Sequence, residues 1–126
     1  GYTVYMTRTT QNVNLSNQQR ALIANSYNPA AVISIHCDGS DNQSVSGAHT
    51  ISIKKDNPYC SILYDASSKL AIDIINEYCK ETGIKNRGVS YRNDLTGLNW
   101  STVPAIYIEL GFLLHWLNQL LLFENK

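Results

Sequence analysis

Two ionisable residues close two of the most apolar runs in the chain. The stretch AAVISIHCDGS, Ala30 to Ser40, delivers His36 after Val32, Ile33, Ser34 and Ile35. The stretch VPAIYIELGF, Val103 to Phe112, delivers Glu109 after Ala105, Ile106, Tyr107 and Ile108. A carboxylate late in an apolar strand is costly unless it is paired, bound to a ligand or exposed at the strand's end. An imidazole in the same situation is either a core side chain with a satisfied hydrogen bond or a chemical group. Together the two suit hydrolysis, with the imidazole as a zinc ligand and the carboxylate as general base. A buried hydrogen-bonded pair fits the same residues, and spacing leaves both readings open.

Side-chain alternation says how such residues would be placed. Val32, Ser34 and His36 share one face of their strand, and Ile33, Ile35 and Cys37 the other. Tyr107 and Glu109 likewise share a face, opposite Ile106, Ile108 and Leu110. The first run reads as a strand buried on both faces. If the two strands run parallel, His36 and Glu109 meet at their carboxyl ends, the rim where open α/β sheets bind ligands. Cys37 points away from His36, which argues against its joining a metal or acting as a nucleophile with that histidine.

The remaining elements follow from the same patterns. Thr3 to Met6 reads as a short strand. Leu15 to Asn25 reads as a helix capped by Asn14 or Ser16, with Ser16 and Gln19 as a capping box and Asn28-Pro29 as its end. Ala48 to Ile53 alternates as a strand, and His49 shares the face of Ile51 and Ile53, the pattern of a buried or edge histidine, with a metal-ligand role as the lesser alternative. Ile62 to Thr82 is the clearest helix, with Leu70, Ala71, Ile74, Ile75 and Tyr78 as its apolar stripe and Gly83 as its stop. Gly88 to Tyr91 reads as a short edge strand, Asp94 to Val103 as a loop, and Ala105 to Leu110 as the last strand. Leu113 to Phe123 is apolar almost all round and is expected to bury itself against the rest of a complete domain or against a protein partner. His115, at the start of that segment, reads as a surface or capping residue, with a metal-ligand role as the lesser alternative. The order β-α-β-β-α-β-β-α implies an α/β sheet covered by helices.

At 126 residues the chain is sized for one domain. Ten basic and ten acidic residues cancel. Without a basic field, nucleic acid and anionic membrane surfaces are poor partners. No run is apolar for long enough to span a bilayer. The three cysteines, Cys37, Cys60 and Cys79, make no C-x-x-C pair and read as small buried apolar side chains. The chain opens on Gly1 without an initiator methionine and shows no signal peptide, so it reads as a fragment or processed product.

Several ordered segments carry a family likeness: Gly1 to Arg8 (GYTVYMTR), Leu15 to Asn25, Ser34-Ile35-His36, Gly47 to Thr50, Arg87-Gly88-Val89, Asp94 to Leu98, and Pro104 to Phe112 ending in Glu-x-Gly-Phe. In these the chain resembles the zinc-dependent N-acetylmuramoyl-L-alanine amidases of the amidase-3 family, which trim bacterial peptidoglycan. The resemblance implies one domain over residues 1–126, with a mixed, mostly parallel sheet flanked by helices and incomplete at the N-terminus. It implies His36 as a zinc ligand and Glu109 as the catalytic carboxylate that carries a proton from water to the leaving amine. The bond cut would be the amide between N-acetylmuramic acid and the L-alanine of the stem peptide, in the cell wall or another extracytoplasmic setting.

The family's other two zinc ligands, on a His-x-Gly strand and a following helix, lie upstream of anything matching Gly1 and are expected from an N-terminal segment that this chain lacks. The alternative expectation is an inactive amidase-like remnant kept as a cell-wall or protein-binding module. Cys37-Asp38 stands where the family has Ala-Asn, and Leu114-His115-Trp116 where it continues into Ser-Asn. Arg8 and Arg20 are expected to serve local pairing or capping. Arg87 is left between that role and contact with an anionic stem peptide. Tyr107 is left between lining the cleft and packing.

Overall fold

The hydroxyl of Ser16 accepts from the Gln19 backbone N–H at 3.2 Å, and the Gln19 side chain accepts from the Ser16 N–H at 2.8 Å. This reciprocal cap satisfies two donors that a helix start otherwise leaves open. It launches helix α1, Asn17–Ser26, in a computed structural model that describes residues 1–42 and 44–113. Asn28, in the left-handed region at φ 44°, and Pro29 then turn the chain out of the helix.

Strand β1, Val32–Asp38, follows, and after a polar loop comes β2, Ala48–Ile53. A 3-10 turn at Ser61–Leu63 leads into helix α2, Tyr64–Thr82, which ends on Gly83 with φ 72°. Glycine takes that left-handed cap without the steric cost other residues meet. Strand β3, Asn86–Arg92, the one-turn helix α3, Thr96–Asn99, and strand β4, Ala105–Phe112, complete the described elements.

The described strands form one sheet in the order β1-β4-β2-β3. β1 and β4 run parallel, β2 and β3 run parallel, and the two pairs meet antiparallel between β2 and β4. The mixed, mostly parallel sheet flanked by helices is the fold class that the sequence implies. Helix α2 lies across β2, β3 and β4. Ala71 and Ile75 of that helix are buried to 0% and 1% exposure, and Ile75 packs with Ala48 and Cys79. The Thr50 hydroxyl donates to the Ala71 carbonyl at 3.0 Å across this interface. On the opposite face the 3-10 turn and α3 cover Ile51, Ile53, Ala105 and Tyr107, with Leu98 and Cys60 filling the layer between.

Several expectations need correction. Thr3–Met6 is not a strand: it is exposed, with Tyr5 stacked on Tyr27 at 4.3 Å between ring centroids. A β-prone run makes a strand only where a neighbour accepts its backbone hydrogen bonds. The run through Ile33 and Ile35 is not buried on both faces. β1 is the outer strand of the described sheet, while α2 packs mainly on β2, β3 and β4, and those two side chains are 46% and 68% exposed. Cys60 and Cys79 are buried as expected, and burial pushes both thiols up in pKa, but Cys37 on the edge strand is exposed. The loop expected over Asp94–Val103 contains α3. Of the apolar segment Leu113–Phe123, all but Leu113 lies outside the described residues, His115 included.

Candidate functional site

β1 and β4 run side by side in parallel, and their register sets His36 opposite Glu109. Both are near the carboxyl ends of their strands, so the expected convergence at one rim is realised. The imidazole of His36 is exposed and leans on the ring of Tyr107, two residues before Glu109 on the same face, at 4.9 Å between centroids. Tyr107 is only 9% exposed, and a Cβ at Gly97 would collide with its hydroxyl. The absence of a side chain at Gly97 is therefore what lets the phenol slot beneath α3. Tyr107 packs in the core layer beneath α3, and its ring also carries the imidazole of His36.

The same register brings in a histidine that the sequence reads first as buried or edge and only second as a metal ligand. β2 enters the sheet antiparallel to β4, which sets His49 directly opposite Glu109 on its other flank. Because β2 is reversed, its beginning lies at the same rim as the ends of β1 and β4. The row across the three strands therefore reads His36, Glu109, His49, all on one face. His49 is half-buried, within the buried-or-edge reading of its strand pattern. The available signal was its place in AHTISI, where it is the polar member of the Ile51 and Ile53 face, but nothing in the run states which strand will pair with it.

The electrostatics of the row follow from its half-burial. Burial pushes the Glu109 carboxyl up, and the Asp38 carboxylate nearby pushes it the same way. Burial pushes the His49 imidazole down, against the pull of Asp38 and together with the repulsion of Arg87. Glu109 Oε2 and His49 Nδ1 are both buried, and neither has a hydrogen-bond partner among the described residues. Buried polar atoms without partners are rare; the Ser52 hydroxyl is a third among the described residues, but only those of Glu109 and His49 face each other at the rim.

A metal has less support from the described residues alone. No three His, Cys, Asp or Glu side chains among them converge on a point that could hold an ion. His36, exposed at the rim, fits as a single nitrogen donor, whereas a catalytic zinc takes three protein ligands. Arg20 serves locally, as expected, donating to the Leu15 carbonyl at 3.2 Å.

Comparison with known proteins shows what the chain as a whole is similar to. In a solved N-acetylmuramoyl-L-alanine amidase from Clostridium difficile 630, 56% of that chain superimposes on 89% of this one, with a TM-score of 0.75 and 26% identity. An N-acetylmuramyl-L-alanine amidase from Mycobacterium smegmatis matches over 86% of this chain and 51% of its own, with a TM-score of 0.71 and 26% identity. Its counterpart from Mycobacterium abscessus matches over 85% and 52%, with a TM-score of 0.71 and 30% identity. The chain thus spans about half the length of these solved structures. No curated protein sequence matched. The family described as N-acetylmuramoyl-L-alanine amidase matches residues 1–125, and with a match over nearly its whole length the chain belongs to that family.

Proposed function

We propose that this chain forms the catalytic part of a peptidoglycan hydrolase that cuts the amide between N-acetylmuramic acid and the L-alanine of the stem peptide, outside the cytoplasm. The observation that carries the reading is Glu109: a carboxyl raised in proton affinity by burial, in register with His36, in a chain of the amidase family. A general acid–base works best when its pKa lies near the operating pH, and burial moves Glu109 in that direction. In the proposed reaction Glu109 takes a proton from the attacking water and returns it to the departing nitrogen. The C–N bond breaks, leaving a carboxylate on the lactyl group and a free amine on alanine.

His36 is proposed as one ligand of a zinc ion, the others coming from protein outside the described residues. When bound, zinc supplies Lewis acidity to a water and to the scissile carbonyl. Tyr107 orients the His36 ring from below, and the half-buried wall around Glu109 limits its exposure to bulk solvent.

The test is release of free alanine amino groups from purified peptidoglycan by the native protein, followed with Glu109→Gln in place. Full activity in that variant removes Glu109 from the mechanism. The second reading, a non-enzymatic cell-wall-binding module, is favoured by the lack of three converging metal donors among the described residues. Zinc titration separates the two: one tight equivalent supports the hydrolase, and no binding with retained affinity for peptidoglycan fragments supports the module.

A further inference from the structure

On the side of His49 away from Glu109 the rim opens into a shallow cleft of about 240 Å³, open to solvent and lined by half-buried His49 and by exposed Arg87 and Ser90. Its shape comes from an irregularity in β3. Ala48 pairs with Asn86 and Thr50 with Val89, so two residues, Arg87 and Gly88, stand opposite the single His49. Gly88 accommodates this bulge at φ 79°. A bulge of this kind re-aims the side chain at its corner, and that side chain is Arg87.

Arg87 is held in place by three contacts. Its Nη1 donates to the Ser46 carbonyl at 3.3 Å, and its guanidinium lies 5.5 Å from the centre of the Phe112 ring. Its aliphatic stem runs over Gly47, where a Cβ would come within 2.9 Å of both Cγ and Cδ. Among the described residues it forms no ion pair, the four that occur being Lys69–Asp73, Lys80–Glu77, Lys80–Glu81 and Arg92–Asp94. A positioned guanidinium without a counter-ion among the described residues, an imidazole and a hydroxyl make a donor-rich wall. The ligand class that fits is a carboxylate, which the planar guanidinium fork can hold through two parallel hydrogen bonds.

We propose that this cleft is a subsite for a carboxylate of the peptide substrate, on the leaving-group side of the scissile amide. The proposal rests on the hydrolase reading and adds a specificity determinant to it. The rim is polarised across the sheet: Asp38 and Glu109 belong to β1 and β4, Arg87 and Ser90 to β3, with His49 of β2 between them. A substrate laid along the rim thus presents its neutral amide to Glu109 and its anion to Arg87. Adjacent strands are about 4.8 Å apart, so the cleft lies roughly 5–10 Å from Glu109. At about 3.5 Å per extended residue, that reach places the carboxylate around the second residue beyond the cut.

Two muramoyl-peptide fragments, identical except that this carboxylate is free in one and amidated in the other, test the assignment in the native protein. The acid is expected to be cleaved in preference, and the acid-over-amide ratio of kcat/KM to fall about tenfold in Arg87→Ala, mainly through KM. Ser90→Ala is expected to lower the ratio less, and Arg87→Lys to restore part of it. An unchanged ratio in Arg87→Ala, with the variant melting like the parent, overturns the subsite. If the native protein cleaves neither fragment, the hydrolase reading fails but the subsite is still decided by calorimetry. Tighter binding of the acid that is lost in Arg87→Ala upholds it, and equal binding of acid and amide overturns it.

Discussion

His49 and Glu109 occupy directly opposed positions on antiparallel strands, and each carries a buried polar atom without a partner among the described residues. With His36 on Glu109's other flank, the carboxyl sits between two imidazoles in a single row. Replacing Glu109 by Gln keeps the shape and removes the proton carrier. Cleavage of peptidoglycan amides by Glu109→Gln is expected to drop by about 10²–10⁴-fold, the usual weight of a general acid–base. Single-turnover assays on isolated cell walls are the measure.

The same substitution has a signature in stability. Glu109 is raised above its ordinary value near 4.5, so the folded protein holds that proton more tightly than the unfolded chain. Its stabilising contribution is therefore fully present below about pH 4.5 and is lost as the pH rises through the raised folded value. A glutamine never ionises. Glu109→Gln is expected to melt above the parent near neutrality, with the gap closing in acid. Identical melting curves at both ends of the pH range would count against burial as the cause.

His49 works in the opposite sense. Its pKa is lowered in the folded state, so its contribution is present above the ordinary value of 6.5 and is lost as the pH falls through the folded value. His49→Gln is expected to soften the decline in stability between neutral and mildly acidic pH. Thermal scans across that window, with His49 as the only change, check it.

Gly97 and Tyr107 are coupled by contact. Gly97→Ala is expected to cost about 1–3 kcal/mol, because the new methyl group meets the buried phenol. Adding Tyr107→Phe removes the hydroxyl in the way and is expected to recover part of that loss. A double-mutant cycle in denaturant measures the coupling, and strict additivity of the two changes would show that the contact is not shared.

Helix α2 offers a contrast within a few residues. Ile75 is 1% exposed and Ile72 43% exposed. Ile75→Ala is expected to cost about 2–5 kcal/mol, as a buried large-to-small change does. Ile72→Ala, at a position with nearly half of its surface in solvent, is expected to cost clearly less than that. Equal losses would mean that α2 does not bury the face described here.

Much of this molecule is written in local sequence. Ser16 and Gln19 specify the start of α1, Gly83 specifies the end of α2, and alternation assigns His36, Tyr107 and Glu109 to their strand faces. These outcomes depend on neighbours a few residues apart, so a short window contains their cause. Which strands lie side by side, and in which direction, is decided by contacts between residues tens of positions apart. A period of two names a face but never the partner across it. Only the assembled sheet put β1 at the margin of the described strands and left Ile33 and Ile35 exposed. Only the reversal of β2 against β4 brought His49 to the rim, and only the two-for-one pairing opposite it turned Arg87 toward the cleft.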